Sequence, residues 1–518
     1  MMTAEPASSN DTSTVGKNEQ TTALLSHEAA AKNLNQTKSP GLEGKLTPTL
    51  LLSMIFAVMS SFQFGFHIGC LNAPESLITK WIEVNHKEMG GAPKDPEEFK
   101  FLFGVIVGLF AFGGIFGGFF SGAVADKFGR KKGLLLINIP ILIATLLMGL
   151  AKYVGIYYFL FIGRFLIGVS CGLASGLAPM YLCEIASVNY RGLFGSLNQL
   201  FVTIAILFSQ ILGLPYIFGS EDFWPFILLF SLVPMSIQLL LSPLAFESPK
   251  YDLIIKNNSA TATSTLRKLR GCENVETELD TLRNEAEEAR KYQKVKMSDL
   301  FKGDLRWPMT IAIVMMLSQQ FSGINAAMFY STEIFKSAGL KGNAPVYATI
   351  GMGLVNVIQT VISTWLVDHP KFGRRSLHLI GLIGMFFTSI AIVGSLSLQK
   401  SDASPDIKQI GSYGAIAFVL LFVISFATGP GGIPWFFVSE IFSSSARGPA
   451  SGISCLVNWF ASFLVGVSFK VVESLLGTYT FLIFTTCLGI FILFTYKFVP
   501  ETKGKTVDEI KVEMDKMK

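Results

Sequence analysis

Gln319-Gln320-Phe321-Ser322-Gly323-Ile324-Asn325 lies inside an otherwise apolar run that extends from about Pro308 to Tyr330. A helix needs about 20 apolar residues to cross a bilayer, and this run is long enough. Three primary amides, a hydroxyl and a helix-loosening glycine are costly there. An unpaired amide in hydrocarbon costs roughly several kcal/mol, so these groups must face protein, water or a ligand. They carry no charge, and each amide both donates and accepts hydrogen bonds. The cluster therefore suits a neutral, hydroxyl-rich solute. Each amide taken singly also fits the glue that joins packed helices.

Composition agrees with a membrane chain. Half of the 518 residues are apolar and 15% are charged, the balance of a polytopic membrane protein. The net charge of +5 is small and the basic residues are scattered, so they read as topology determinants and not as a nucleic-acid surface. The six cysteines show no ligand-like spacing, so neither a metal site nor a disulfide framework is expected. The first 45 residues are polar and rich in Ser, Thr, Ala and Asn; they read as a disordered tail without a cleavable signal.

Working outward, about twelve apolar segments are long enough to cross a bilayer, near 47–70, 101–124, 133–151, 157–182, 191–214, 223–244, 308–330, 346–367, 376–397, 412–439, 446–470 and 478–498. This predicts an all-α membrane protein of twelve transmembrane helices, with both termini on one side. Arg130, Arg191, Arg374, Arg375 and Arg447 fall in loops of that side and none falls in the opposite loops, which makes it cytoplasmic. The sequons at Asn10, Asn35 and Asn257 fall on this side as well, so little N-glycosylation is expected. The predicted organisation is a cytoplasmic tail (1–45), a six-helix bundle (46–245), a helical linker (246–307), a second six-helix bundle (308–499) and a cytoplasmic tail (500–518). The linker stretch 276–296 is dense in Glu, Lys, Arg and Leu and reads as helix.

The two bundles repeat each other. Asp126 to Arg130 is echoed by Asp368 with Arg374-Arg375, Glu184 and Arg191 by Glu440 and Arg447, and Glu247-Ser248-Pro249-Lys250 by Pro500-Glu501-Thr502-Lys503. The offset is near 250 residues, the mark of a duplicated unit. Two repeats around a midplane site form a transporter architecture. The acid–arginine sets Asp126/Arg130, Glu184/Arg191, Asp368/Arg374 and Glu440/Arg447, with Glu247 and Arg375, are candidates for a cytoplasmic latch between helices. Topology anchoring alone is the plainer alternative.

Within the spans, glycines crowd 104–122 and 163–176, as close packing requires. Gly429-Pro430-Gly431-Gly432-Ile433-Pro434-Trp435 cannot be regular helix and is the candidate moving gate. Gln199, Asn356 and Asn458 add amides on other spans. No Asp or Glu sits mid-membrane as a proton relay, which argues against proton coupling; His67 is the one titratable exception worth testing.

These motifs resemble the sugar-porter branch of the major facilitator superfamily, and within it the animal facilitative glucose transporters. The resemblance runs from about Lys45 to Lys505. It rests on Phe62-Gln63-Phe64-Gly65, Asn72-Ala73-Pro74, Gly163-Arg164-Phe165, Pro179-Met180-Tyr181, Glu247-Ser248-Pro249, the opening cluster, Gly429 to Trp435, Asn458-Trp459 and Pro500 to Gly504. It implies a major facilitator fold and a substrate that is a small neutral sugar, surrounded by membrane lipid, with no cofactor. It further implies hexose contacts at Gln199, Gln319, Gln320, Asn325, Asn356, Trp435 and Asn458. Val202, Ile206, Phe329, Tyr330, Phe426 and Trp459 would line or gate the path, with Gly429, Pro430 and Pro434 in the break. Met316 stands where glucose-selective members usually have Gln. The implied function is facilitative hexose uniport, most simply of D-glucose, at the plasma membrane. The alternatives are a proton–hexose symporter and a non-transporting sugar sensor. An enzyme is not expected, because no HExxH and no nucleophile–base set appears.

Overall fold

A computed structural model describes residues 45–517 apart from 188–189, 292–294, 403 and 506. The tail up to residue 44, with the sequons at Asn10 and Asn35, lies outside the described residues. Among the described residues there are helices and no strands. Eleven stretches are long and apolar enough to cross a membrane. The last, Ala446–Phe498, is 53 residues long and contains two helices, Ser444–Leu476 and Phe481–Phe498. It crosses twice, which makes twelve spans.

Spans one to six are Pro48–Gly69, Pro96–Phe128, Arg130–Val154, Tyr158–Ile185, Arg191–Leu212 and Trp224–Leu241. Spans seven to twelve begin at Arg306, Ala344, Arg374, Pro405, Ser444 and Phe481. Leu240, Ile410, Ile490 and Leu493 are each more than half exposed, as lipid-facing side chains should be.

Small residues set the closest contacts. A Cβ placed on Gly113 would lie 2.1 Å from the Phe165 carbonyl oxygen, and one on Gly168 would lie 2.1 Å from that of Phe110. Spans two and four therefore touch backbone to backbone. Span two also presents Gly108, Gly114 and Gly118 to Val467, Trp459 and Cys455 of span eleven, so one glycine-rich helix joins its own bundle to the other. Gly168→Leu overpacks the first of these contacts, a change that costs about 1–3 kcal/mol or more. Its expected result is a clear fall in the melting temperature of detergent-solubilised protein, whereas Gly122→Leu, which meets open space, leaves the melting temperature near wild type.

Two spans are broken. Span seven runs Arg306–Gln320, turns through Phe321–Gly323 and resumes as Ile324–Ser337. Gly323 has φ +91, a left-handed value that glycine adopts without strain. Span ten runs Pro405–Thr428 and resumes as Ile433–Ile441. Gly429, at φ −147 and ψ −64, packs on span nine, where its Cβ would stand 2.2 Å from the Leu377 carbonyl.

Two helices were not foreseen. Glu75–Glu88 is helical where a loop was expected. It buries Ile78, Ile82, Asn85 and His86, while Glu83 and Lys87 pair on its exposed side. Val507–Met517 is helical in the stretch read as a tail and buries Ile510 and Met514 beside Phe442, Ala446 and Val499. In the linker, Glu276–Lys291 is helical, preceded by Pro249–Ile254 and Ser259–Arg270. Arg270 bonds Glu278 through both branches (2.9 and 2.6 Å) and donates to the Ile185 carbonyl at 2.7 Å. This fastens the linker to the first bundle.

Candidate functional site

The amides of spans seven and eleven form one hydrogen-bonded chain against the break in span ten. Gln319 Nε2 donates to the carbonyls of Pro430 (3.0 Å) and Gly431 (2.8 Å), which the helix break has left without helical partners. Its Oε1 accepts from Asn458 Nδ2 at 2.7 Å and from Gln320 Nε2 at 3.3 Å. Gln320 Nε2 also donates to Asn458 Oδ1 at 2.9 Å. Asn325 Nδ2 donates to Gln320 Oε1 and to Ser462 Oγ, the latter at 2.7 Å. Asn458 Nδ2 additionally approaches Met316 Sδ at 3.6 Å. Gln319, Gln320 and Asn458 are all buried.

This arrangement separates roles within one residue type. Gln319 has its full complement of partners and acts as a strut from span seven to the broken helix. Gln320, Asn325 and Asn458 are joined to one another, so an entering polyol can exchange hydrogen bonds with them without leaving an amide bare. Such exchange is nearly neutral, because only unmade bonds are expensive. Gln199 is half-buried and Asn356 buried, and neither side chain has a protein hydrogen-bond partner among the described residues.

The other candidates take several positions. Val202 and Ile206 are buried where span five meets span one, their carbonyls facing Gly65 and Gly69. Phe426 lies beside Gly431. Trp435 is half-buried between the two main core clusters, and Pro434 opens the second helix of span ten. Trp459 is buried against Phe64 and Phe110 (ring centroids 5.2 and 5.6 Å) and donates to Ser175 Oγ at 3.3 Å. Phe329 is buried. Tyr330 stacks on Phe469 at 5.0 Å, donates to the Gly466 carbonyl and has non-helical torsions.

On the linker face the charged sets join neighbouring helices. Arg130 binds Glu184 through Nε and Nη2, both at 2.9 Å, and stands 3.8 Å from Asp126. Glu247 Oε1 accepts from the backbone N–H of Arg130 and Lys131 at 2.9 and 3.0 Å. The second bundle repeats this: Arg374 Nε meets Glu440 at 3.3 Å, and its backbone N–H reaches Glu501 at 2.7 Å. Gly129 and Gly373 stand where a Cβ would strike the carboxylates of Glu247 and Glu501. Arg447 donates to the Phe442 carbonyl at 3.3 Å and Arg375 to the Tyr496 carbonyl. The side chains of Arg191 and Asp368 lie outside the described residues. Every pair resolved here lies within one bundle, because neighbouring spans of the same bundle bring these helix ends together. On the opposite face the bundles do touch: Asn72 Nδ2 donates to the Met328 carbonyl at 2.8 Å and to Ser331 Oγ, and its Oδ1 accepts from Thr332 N at 3.1 Å.

The profile of the family described as "Sugar (and other) transporter" matches residues 53–514. The chain belongs to this family. As a sugar transporter it is 52% identical over 506 residues to "Facilitated glucose transporter protein 1" of Caenorhabditis elegans, covering 96% of this chain and 98% of that one. It is 40% identical over 467 residues to "Solute carrier family 2, facilitated glucose transporter member 3" of Homo sapiens, covering 90% and 92%. Its fold matches the partially occluded inward open xylose transporter XylE from E. coli, with TM-score 0.74, 23% identity and coverage of 89% and 100%. The protein is thus a multi-pass membrane transporter with the major facilitator fold, and not an enzyme.

Three contacts of this sugar transporter were not assigned from its sequence: Ser462 as acceptor for Asn325, Met316 as a sulfur acceptor, and Glu501 as acceptor for the Arg374 backbone. The last was within reach, because Glu501 is the repeat mate of Glu247. Lys503, in the same motif, donates to the carbonyls of Val367 (3.0 Å), His369 (2.6 Å) and Phe372 (2.9 Å), which ties down the turn between spans eight and nine.

Proposed function

We propose that this transporter is a facilitative hexose uniporter of the plasma membrane, with D-glucose as its main substrate and both termini in the cytoplasm. The observation that carries the reading is the uncharged amide chain Asn325–Gln320–Asn458–Gln319, hung on a broken helix at membrane depth. It offers many donors and acceptors to a polyol and no charge to an ion. The names of the relatives favour glucose and facilitated transfer, and the arginines gathered on the linker face favour a cytoplasmic assignment for it. Sugar would bind between the bundles while the contacts on either face open in turn.

Proton symport is the second reading, and His67 is the residue that raises it. His67 is fully buried, its Nε2 lies 2.7 Å from Ser231 Oγ, and its carbonyl accepts from Arg164 Nη1 at 3.0 Å. These bonds suit a structural imidazole joining spans one, four and six. The test is uptake of labelled D-glucose into proteoliposomes, with L-glucose as control and with or without an inward proton gradient. Stereoselective equilibration indifferent to the gradient, and equally so in His67→Asn, is the expected result. Accumulation that a protonophore abolishes would replace uniport with symport.

A further inference from the structure

Beyond the polar sites already described, the far face holds a charged pair that bridges the two bundles. Glu75 opens the helix after span one, and Lys470 lies in span eleven near its outer end. Lys470 Nζ stands 2.9 Å from Glu75 Oε1 and 3.6 Å from Glu473, with the Glu75 and Lys470 side chains only 13% and 9% exposed. The same ammonium lies 4.8 Å from the centroid of the Tyr330 ring. Tyr330 is the residue at which span seven departs from helical torsions. Span two faces Lys470 with Gly104, which has no side chain to compete. Glu75 Oε2 is buried without a partner.

We infer that Glu75 and Lys470 are positioning residues of the outer gate, setting the stability of the outside-closed state by holding span eleven, through Tyr330, against the start of the Glu75 helix. The inference rests on the alternating-access reading. It gives the two residues unequal weight. Removing one partner of a buried pair leaves the other charge uncompensated. Without Lys470, Glu75 is buried facing the Glu333 carboxylate and the Tyr330 side chain, with Lys336 the remaining nearby cation. Without Glu75, Lys470 keeps Glu473.

The pH dependence follows in sign. Burial raises the Glu75 carboxyl above the usual carboxylate range, Lys470 pulls it down, Glu333 pushes it up and Lys336 pulls it down. A pKa raised in the closed state means that protonation favours closing, an effect present in acid and lost as pH rises through the raised value. Deleting Lys470 removes the largest opposing influence, so closing becomes more dependent on acid.

The test is hydrogen–deuterium exchange of the full-length protein in nanodiscs, corrected for intrinsic rates, comparing peptides of 324–337 and 466–476 with peptides of the linker face. At pH 7.5, Lys470→Met is expected to exchange about 3- to 10-fold faster than wild type on the far face alone, with the excess shrinking at pH 5.5. Glu75→Gln shows a smaller rise. The charge exchange Glu75→Lys with Lys470→Glu restores most protection, and the double variant Glu75→Gln/Lys470→Met loses the added pH dependence. Wild-type exchange in Lys470→Met, or an equal rise on both faces, would overturn the inference. Failure of the wild type to move sugar would instead defeat the carrier reading, and the exchange asymmetry would remain readable.

Discussion

Asn458→Leu is expected to lower D-glucose uptake at subsaturating sugar by roughly 10- to 100-fold, since each 1.4 kcal/mol is tenfold in affinity. Asn458 donates to Gln319 Oε1, accepts from Gln320 Nε2 and touches Met316 Sδ. Leucine has similar bulk and supplies none of these bonds. Gln320 then has one donor fewer engaged, and a polar group left bare in the closed protein costs about 1–3 kcal/mol. The same change removes one of the groups proposed to receive sugar hydroxyls. The comparison that checks this is zero-trans uptake beside thermal stability in detergent. A large loss of uptake with a melting temperature within a few degrees of wild type is expected. Unchanged uptake would remove Asn458 from the sugar path.

Arg130→Met is expected to destabilise the first bundle by about 3–5 kcal/mol, the range for breaking one side of a buried ion pair. The Arg130 and Glu184 side chains are 10% and 12% exposed, so solvent does little to screen the carboxylate that remains. Arg374→Met should cost less, because the Arg374 and Glu440 side chains are 16% and 27% exposed at 3.3 Å, and Thr502 Oγ1 still donates to Glu440. Thermal unfolding of both variants in one detergent gives the order directly. An Arg130 variant as stable as wild type would show that the pair is a surface contact in effect. Glu184→Gln paired with Arg130→Met should recover much of the loss, since a neutral amide tolerates that site better than a lone carboxylate does.

The sequence alone determined the membrane class, the twelve crossings, the duplication and the helix break in span ten, for reasons written into composition. Hydrocarbon forces every crossing into about 20 apolar residues. Gly429 to Pro434 cannot continue a helix, and a duplicated chain keeps its motif offset. The amides also stood out, because three of them in a short apolar run need an explanation that apolar packing does not supply. What each amide does was not legible. Gln319 and Gln320 are neighbours in sequence and chemically identical, yet one is fully tied to the Pro430 and Gly431 carbonyls while the other faces Asn458 and Asn325. Helical rotation and the position of span ten decide that, and neither is a local property. The same holds for the arginines. Local spacing paired Arg130 with Asp126, which stands 3.8 Å away, whereas its closer partner at 2.9 Å is Glu184, 54 residues away, because spans four and two meet there. Amphipathic partners of short helices, such as Ile510 and Met514, needed the tertiary structure too. A helix of 11 residues is marginal alone, and the surface it packs on comes from spans ten to twelve. Glu75 and Lys470 are 395 residues apart, and either alone reads as a solvated charge at a helix end. Only the closing of the two bundles over each other on the far face places one charge beside the other.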